Sequence, residues 1–443
     1  MEDKYQESLD FLYSQLPMFS RVGAAAYKPG LERVERLSEF YGHPERRLRA
    51  IHVAGTNGKG STSHIIAAVL QAAGYKTALY TSPHLVDFRE RIRIDGRMIP
   101  EEKVTEFVDN FKSLGYPGDK PSFFELTMIM AFDWFAREEV DYAVIETGMG
   151  GRLDSTNILR PMLCVITNIS PDHTQFLGHT LPEIAAEKAG IIKEGVPVVI
   201  GEADEETEGV FHAKAAECGA PVTDVYKSPG VWNFRLKEDY SGWRASSDIA
   251  GEIETDLAGD YQQKNIPTAL AAVSELIRLG VRIPVEAIRE GVANAASMTG
   301  LAGRWQITSR QPLTICDTGH NIGGLEINML RLRRLKEEAP EGASLRMVIG
   351  FVADKAIDDI LKLFPKDAHY YLTNAAIPRA LPVSELSDKF REAGLEGVEY
   401  PDVASAIAAV MEDASPEDII YIGGSTFIVA EALPVMCGGK EEK

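Results

Sequence analysis

The chain has 443 residues, 45% hydrophobic and 25% charged, enough for two or three packed domains without disulfide or metal staples. Its 46 basic and 66 acidic side chains leave a formal charge of −20, which repels nucleic acid and anionic membranes but not small anions in a locally basic pocket. Cys164, Cys218, Cys316 and Cys437 form no CxxC pair and show no disulfide framework, and Cys164 and Cys316, which sit in apolar runs, read as buried free thiols.

The opening "MEDKYQESLDFLYSQL" is acidic and amphipathic, unlike a signal peptide, and no apolar run is long enough to span a bilayer. A cytoplasmic protein is expected. Helices are predicted over 5–16 and 31–41. "LRAIHVAG" reads as a buried strand, followed by the glycine-rich turn "GTNGKGS" and a helix over 61–73. "KTALYT" is a short strand, and periodicity predicts helices over 101–113 and 122–138. "DYAVIETG" and "MLCVITNIS" are apolar strands that end in polar residues. "TLPEIAAEKAGIIKEG" reads as a helix with a glycine stop, and "VPVVIG" as a strand. Residues 231–248 alternate around "DYSGW", which predicts a local antiparallel hairpin. Helices over 261–279 and 284–296 follow. After the small-residue stretch "NAASMTGLAGRW" the alternation restarts with "PLTICDTGHN", "LRMVIGFVADK", "HYYLTNA" and "DIIYIGGST". Strands alternating with helices predict an α/β fold with a mostly parallel, doubly wound sheet. The break places a domain boundary near 299, giving domains 1–298 and 299–443.

Two stretches concentrate chemistry. In "GTNGKGS" a turn between strand and helix aims backbone N–H groups at one point, where Lys59 adds a full charge and Ser61 a hydroxyl. The generic phosphate-loop pattern is met only in part, since Val53 stands where its first glycine belongs and Gly60 where Ser or Thr belongs. Tight strand–helix packing is the plainer explanation of such glycines. Glu146, however, ends a neighbouring apolar strand, where a nucleotide enzyme holds magnesium. The loop after it, "TGMGGRLDSTN", crowds Gly148, Gly150, Gly151, Arg152 and Asp154 together.

With "HVAGTNGKGST" and "VIETGMGGRLDSTNIL", the sequence resembles the folylpolyglutamate synthase and dihydrofolate synthase family of the ATP-dependent Mur ligase superfamily. The likeness continues through "KPGLERVERLSEFYGHP", "TSPHL", "PSFFELT", "SPDHTQFLGHTLPEIAAEKAGIIK", "YQQKNIPTALAA", "GRW", "DTGHN" and "GGSTF", nearly the whole chain. It implies an N-terminal phosphate-loop domain of Mur-ligase type with a small antiparallel sheet, a smaller C-terminal Rossmann-like domain, and ATP in the cleft between them. The implied activity is ligation of L-glutamate to dihydropteroate or to reduced folates through an acyl phosphate, with magnesium, two ions in number, as cofactor. The expected enzyme acts as a monomer on small molecules, with no nucleic-acid or membrane partner.

By the same resemblance Gly58, Lys59, Gly60 and Ser61 cradle the triphosphate, and Ser82, Glu146 and His173 bind magnesium. Lys188 matches a lysine that the family carbamylates. Asn265, Arg304, Asp317 and His320 match nucleotide contacts, Arg304 reaching the phosphates with a guanidinium that stays charged. The catalytic set is then Lys59, His173, Lys188 and Arg304. The pteroate end is expected near Ser122, Phe123, Phe124 and Glu125 and near Leu153, Asp154 and Ser155, with the two rings available to stack on a flat pterin or equally to serve as core. Two departures stand out: Tyr261 occupies a position where the family often has His, and "DTGHN" replaces "DGAHN".

Rival readings are weaker. A cell-wall Mur ligase carries a UDP-binding domain ahead of the loop, whereas only 54 residues precede Gly55 here. A guanine-specific switch carries NKxD, and no Asn in this chain is followed by Lys. A degenerate relative would not be expected to keep Lys59, Glu146, His173 and Arg304. Within the family, a monofunctional folylpolyglutamate synthase is the alternative to a bifunctional enzyme.

Overall fold

The computed structural model describes residues 2–16, 30–227, 232–353, 355 and 357–438. Val231, where the expected hairpin begins, lies outside them, as do Lys28 and Pro29 at the head of one resembling stretch. Two compact units emerge: Met1–Glu238 with Gly242–Asp256 and Gln262–Leu301, and Asp239–Ser241 with Leu257–Tyr261 and Ala302–Lys443.

The first unit is built on an eight-stranded sheet. Its strands are β1 (Ala50–Ala54), β2 (Thr77–Tyr80), β3 (Ile92–Ile94), β4 (Arg97–Met98), β5 (Tyr142–Glu146), β6 (Leu163–Ile166), β7 (Val198–Ile200) and β8 (Val222–Asp224), in the order β4-β3-β2-β5-β1-β6-β7-β8. From β2 to β8 every pairing is parallel. Central β1 and β5 are buried along their whole lengths, as apolar strands with helices on both faces must be. Because neighbours are parallel, the loops after β1, β2, β5 and β6 all open at one edge of the sheet, where open α/β sheets bind ligands.

The predicted helices appear as Glu2–Gln15, Glu32–Phe40, Lys59–Ala72, Glu101–Leu114, Phe123–Arg137 and Gln262–Arg278. Two end sooner than predicted. The helix expected over "TLPEIAAEKAGIIKEG" is Leu181–Ala189, and it stops at Gly190, where a Cβ would lie 2.3–2.9 Å from atoms of Arg152. The one expected over 284–296 breaks at Asn294 into Val285–Ala293 and Ala295–Thr299. The hairpin around "DYSGW" gains a third strand: β9 (Arg235–Leu236), β10 (Trp243–Ser247) and β11 (Gly251–Glu254) form the small antiparallel sheet.

The β3–β4 hairpin was not anticipated. Its Asp95 and Gly96 both have positive φ, 49° and 73°, as a tight two-residue turn requires. A Cβ on Gly96 would stand 1.9 Å from the Met298 carbonyl oxygen, so glycine is required twice over.

The second unit has a six-stranded sheet ordered β12-β13-β17-β14-β15-β16, with β12 (Gln306–Arg310), β13 (Leu313–Asp317), β14 (Leu345–Ile349), β15 (His369–Leu372), β16 (Gly397–Glu399) and β17 (Ile419–Gly423). Only β12 runs antiparallel. All four cysteines are free, with Cys164 and Cys316 buried. No described helix is long and apolar enough to cross a membrane.

Candidate active site

The loop after β1 is locked from two sides. Gly58 caps the helix Lys59–Ala72 with φ 82°, and a Cβ there would lie 2.2 Å from Asn265 Oδ1. Asn265 donates to Gln262 Oε1 at 2.9 Å, and Gln262 donates to Ser61 Oγ at 3.1 Å, which ties the helix Gln262–Arg278 to the loop. On the other side the residues after β6 take the loop backbone. Asn57 N donates to Asn168 Oδ1 at 2.8 Å, Thr56 N to the Asn168 carbonyl at 2.9 Å, and Asn57 Nδ2 to Ser170 Oγ at 3.1 Å. Thr167 Oγ1 donates to the Asn57 carbonyl, and a Cβ on Gly55 would strike that same hydroxyl. The turn is thus held by side chains before any ligand arrives. Thr167, Asn168 and Ser170 were missed in the sequence. The signal for these three was a polar "TNIS" ending a strand next to β1.

Two lysines meet at this loop. Lys59 Nζ donates to the carbonyls of Gly55 at 3.1 Å and Thr56 at 3.0 Å. Lys188 Nζ donates to the same Gly55 oxygen at 2.9 Å. Lys188 is 3% exposed. Burial, and after it the charge of Lys59, pulls its pKa down to about 7. Its place is set by a glycine contact, since a Cβ on Gly151 would lie 2.8–2.9 Å from the carbonyl oxygens of Glu187 and Lys188.

Glu146 ends β5, 3% exposed, and its Oε2 accepts from Ser82 N at 3.1 Å. The structure therefore joins Ser82 and Glu146. His173 is half-buried in left-handed conformation (φ 49°) at the start of Thr174–Leu177, with Asp172 3.9 Å from Nε2. Among the described residues no three His, Cys, Asp or Glu side chains gather as a preformed metal centre. A buried carboxylate beside a serine still fits a hard divalent cation that takes its remaining ligands from water and substrate phosphate.

Ser122 Oγ accepts from Glu125 N, and Glu125 Oε2 accepts from Ser122 N at 2.6 Å, a capping box for the helix Phe123–Arg137. Arg33, unforeseen in the sequence, pairs with the same Glu125 at 2.9 Å. Phe123 is 3% exposed; its ring stacks on Tyr13 at 5.7 Å, with the Arg91 guanidinium 5.2 Å from its centre. Phe124 is half-buried and lies so close to Gly148 that a Cβ there would be 2.6 Å from its ring. Asp154 accepts from Met149 N at 2.8 Å, from Thr156 N at 3.0 Å and from Thr156 Oγ1 at 2.5 Å, bracing the glycine loop. Burial holds its pKa above the ordinary carboxylate value. Buried His52, driven down to about 3 by desolvation, is neutral, and its Nε2 lies 2.8 Å from Thr156 Oγ1; that hydroxyl already donates to Asp154, so it accepts from the His52 Nε2–H tautomer. Leu153 and Ser155 flank Asp154, both half-buried.

On the second unit, Asp317 ends β13 and is 1% exposed. Arg304 is half-buried between Gly303 and Trp305, and His320 follows in the loop after β13, where its Nδ1 lies 3.0 Å from the Thr318 carbonyl.

Comparison with known proteins accords with this arrangement. The Mur ligase middle domain matches residues 53–273, and the Mur ligase glutamate ligase domain matches residues 303–426. The dihydrofolate synthase/folylpolyglutamate synthase of Bacillus subtilis is 32% identical, covering 96% of this chain and 98% of its own. That of Escherichia coli is 34% identical, covering 97% of each. Among solved structures, E. coli FolC in complex with DHPP and ADP superposes with a TM-score of 0.82 at 31% identity, over 98% of this chain and 97% of the other. A bifunctional folylpolyglutamate synthase/dihydrofolate synthase with Mn, AMPPNP and L-glutamate bound gives 0.78 at 30% identity, over 93% and 95%.

Proposed function

The chain belongs to the dihydrofolate synthase/folylpolyglutamate synthase family of Mur ligases, and we propose that it uses both acceptors, adding the first glutamate to dihydropteroate and further glutamates to reduced folates. It is an ATP-dependent glutamate ligase of folate metabolism. The observation that carries the site assignment is the side-chain-locked glycine loop on which Lys59 and buried Lys188 share one carbonyl oxygen.

In this reading an acceptor carboxylate oxygen attacks the γ-phosphorus of ATP, the bond to ADP breaks, and an acyl phosphate forms. The glutamate amine then attacks the acyl carbon, the bond to phosphate breaks, and phosphate and a proton leave. The N–H groups of Gly58, Lys59, Gly60 and Ser61 at the helix start, with the Lys59 ammonium, hold the phosphates. Asn265, Arg304 and His320 complete the nucleotide contacts. Ser82, Glu146 and His173 would hold a magnesium ion, and a carbamylated Lys188 would order a second. Magnesium supplies neutralisation of the charge that gathers on the phosphate oxygens. Phe124, rather than the core ring Phe123, is assigned to the pterin or aminobenzoyl ring, with Leu153, Asp154 and Ser155 beside it. Cytoplasmic action as a monomer completes the proposal.

The direct test is a pair of ligation assays with ATP, magnesium and glutamate, one offering dihydropteroate and the other tetrahydrofolate, with added glutamates counted by mass spectrometry. Product from both acceptors is expected. Product from tetrahydrofolate alone would make the enzyme monofunctional.

Asp154→Ala separates the acceptors further. The variant should lose about 10-fold or more in kcat/KM for dihydropteroate, the loss of a hydrogen bond to a charged group, and clearly less for tetrahydrofolate, which brings its own glutamate as a handle. Equal losses would mean that Asp154 only braces the loop through Met149 and Thr156.

A further inference from the structure

Asp317 has no oxygen to spare. Its Oδ2 accepts from Trp305 N at 2.7 Å and from Tyr261 Oη at 2.6 Å. Its Oδ1 accepts from Gly319 N at 2.7 Å and from Asn328 Nδ2 at 2.6 Å. Four donors fill the acceptor capacity of a carboxylate. Burial and the neighbouring carboxylate push the Tyr261 hydroxyl well up, so it remains a donor across the working pH range.

Two of these donors, Trp305 N and Gly319 N, belong to the segments that flank Arg304 and lead into His320. Trp305, next to Arg304, is in the left-handed region at φ 51°, which a bulky side chain rarely adopts. Such outliers persist only where their surroundings impose them, and they gather at functional sites. Here the surroundings are explicit. The Trp305 ring is 1% exposed, the Arg331 guanidinium lies 4.6 Å from its centre, and Arg331 is anchored to Asp260 at 2.7 Å. Gly303, on the other side of Arg304, accepts from Thr318 N at 3.0 Å and donates to Gln306 Oε1 at 2.8 Å. The main chain of Arg304 is therefore fixed at both ends, and the loop to His320 starts from the same carboxylate.

We propose that Tyr261, Asp317 and the strained Trp305 form a positioning device that aims Arg304. The inference rests on the reading of Arg304 as a phosphate contact. Tyr261 is a positioning residue, acting through the Asp317 carboxylate and the Trp305 backbone, and its effect falls on the step that Arg304 serves.

The test is a double-mutant cycle on the full-length enzyme. Arg304→Ala should lower kcat about 10³-fold. Tyr261→Phe, which removes one oxygen and keeps the ring, should lower kcat about 10-fold with the KM for ATP nearly unchanged and circular dichroism unaltered. The double variant should be no slower than Arg304→Ala alone. Multiplying effects in the cycle would overturn the positioning role while leaving Arg304 in place. Full activity of Arg304→Ala would instead remove the Arg304 reading, and the device with it.

Discussion

Lys59→Ala is expected to lower the ligation rate by about 10³-fold, roughly 4 kcal/mol, as for loss of a charged group on a transferring phosphoryl. The side chain donates to the Gly55 and Thr56 carbonyls, both part of a turn that other side chains already hold. Removing it leaves those oxygens to water, so the fold should lose no more than about 1 kcal/mol. Catalysis and stability should therefore separate. Thermal unfolding without nucleotide should match wild type, and the rise in Tm that ATP gives wild type should shrink, because less binding energy is linked to folding. Gly58→Ala sets the contrast. Its Cβ would meet Asn265 at 2.2 Å in a backbone conformation that alanine resists, so that variant should lose activity and stability together. A Lys59→Ala enzyme with an unchanged rate would remove the phosphate-loop assignment.

Much of this was legible in the sequence because the signals are local. Buried parallel strands read as apolar runs, so β1, β5 and β6 and the polar residues at their ends stood out. The β3–β4 hairpin was legible too and was overlooked: "IRIDGRM" has an Asp-Gly pair between alternating residues, the strongest short-range hairpin signal. Other features had no local signal. That Phe123 goes to the core depends on Tyr13 and Arg91, both more than 30 residues earlier in the chain. The filled carboxylate of Asp317 depends on Tyr261 and Asn328, which only the folded chain brings to β13. Short edge strands such as β8 and β16, three residues each, carry too few positions to show a period.

Lys188 gives the second large effect. An amine with a pKa near 7 is largely unprotonated in mildly alkaline solution, and only the free amine attacks carbon dioxide. In the proposed carbamylation the nitrogen–carbon bond would form, a proton would leave, and the side chain would become an anion beside Lys59. Lys188→Ala should lower kcat by about 10²-fold or more, the magnitude for loss of a preorganised charged group. Wild type stripped of carbon dioxide should lose activity and recover it with bicarbonate, faster as pH rises through 7. Labelled carbon dioxide should give a carbamate carbon signal in wild type and none in Lys188→Ala. Absence of both the signal and the bicarbonate response would leave Lys188 as an unmodified amine. Stability supplies an independent check in buffer free of carbon dioxide. The folded pKa lies below the ordinary lysine value of 10.5, so between those two values the unfolded chain binds more protons and stability rises with pH. Below pH 7 the buried ammonium carries its full cost, a few kcal/mol. Lys188→Met should therefore be more stable than wild type at pH 6, with the advantage shrinking steadily toward pH 10, and a difference that does not vary with pH would mean that the Lys188 amine is not desolvated in the fold.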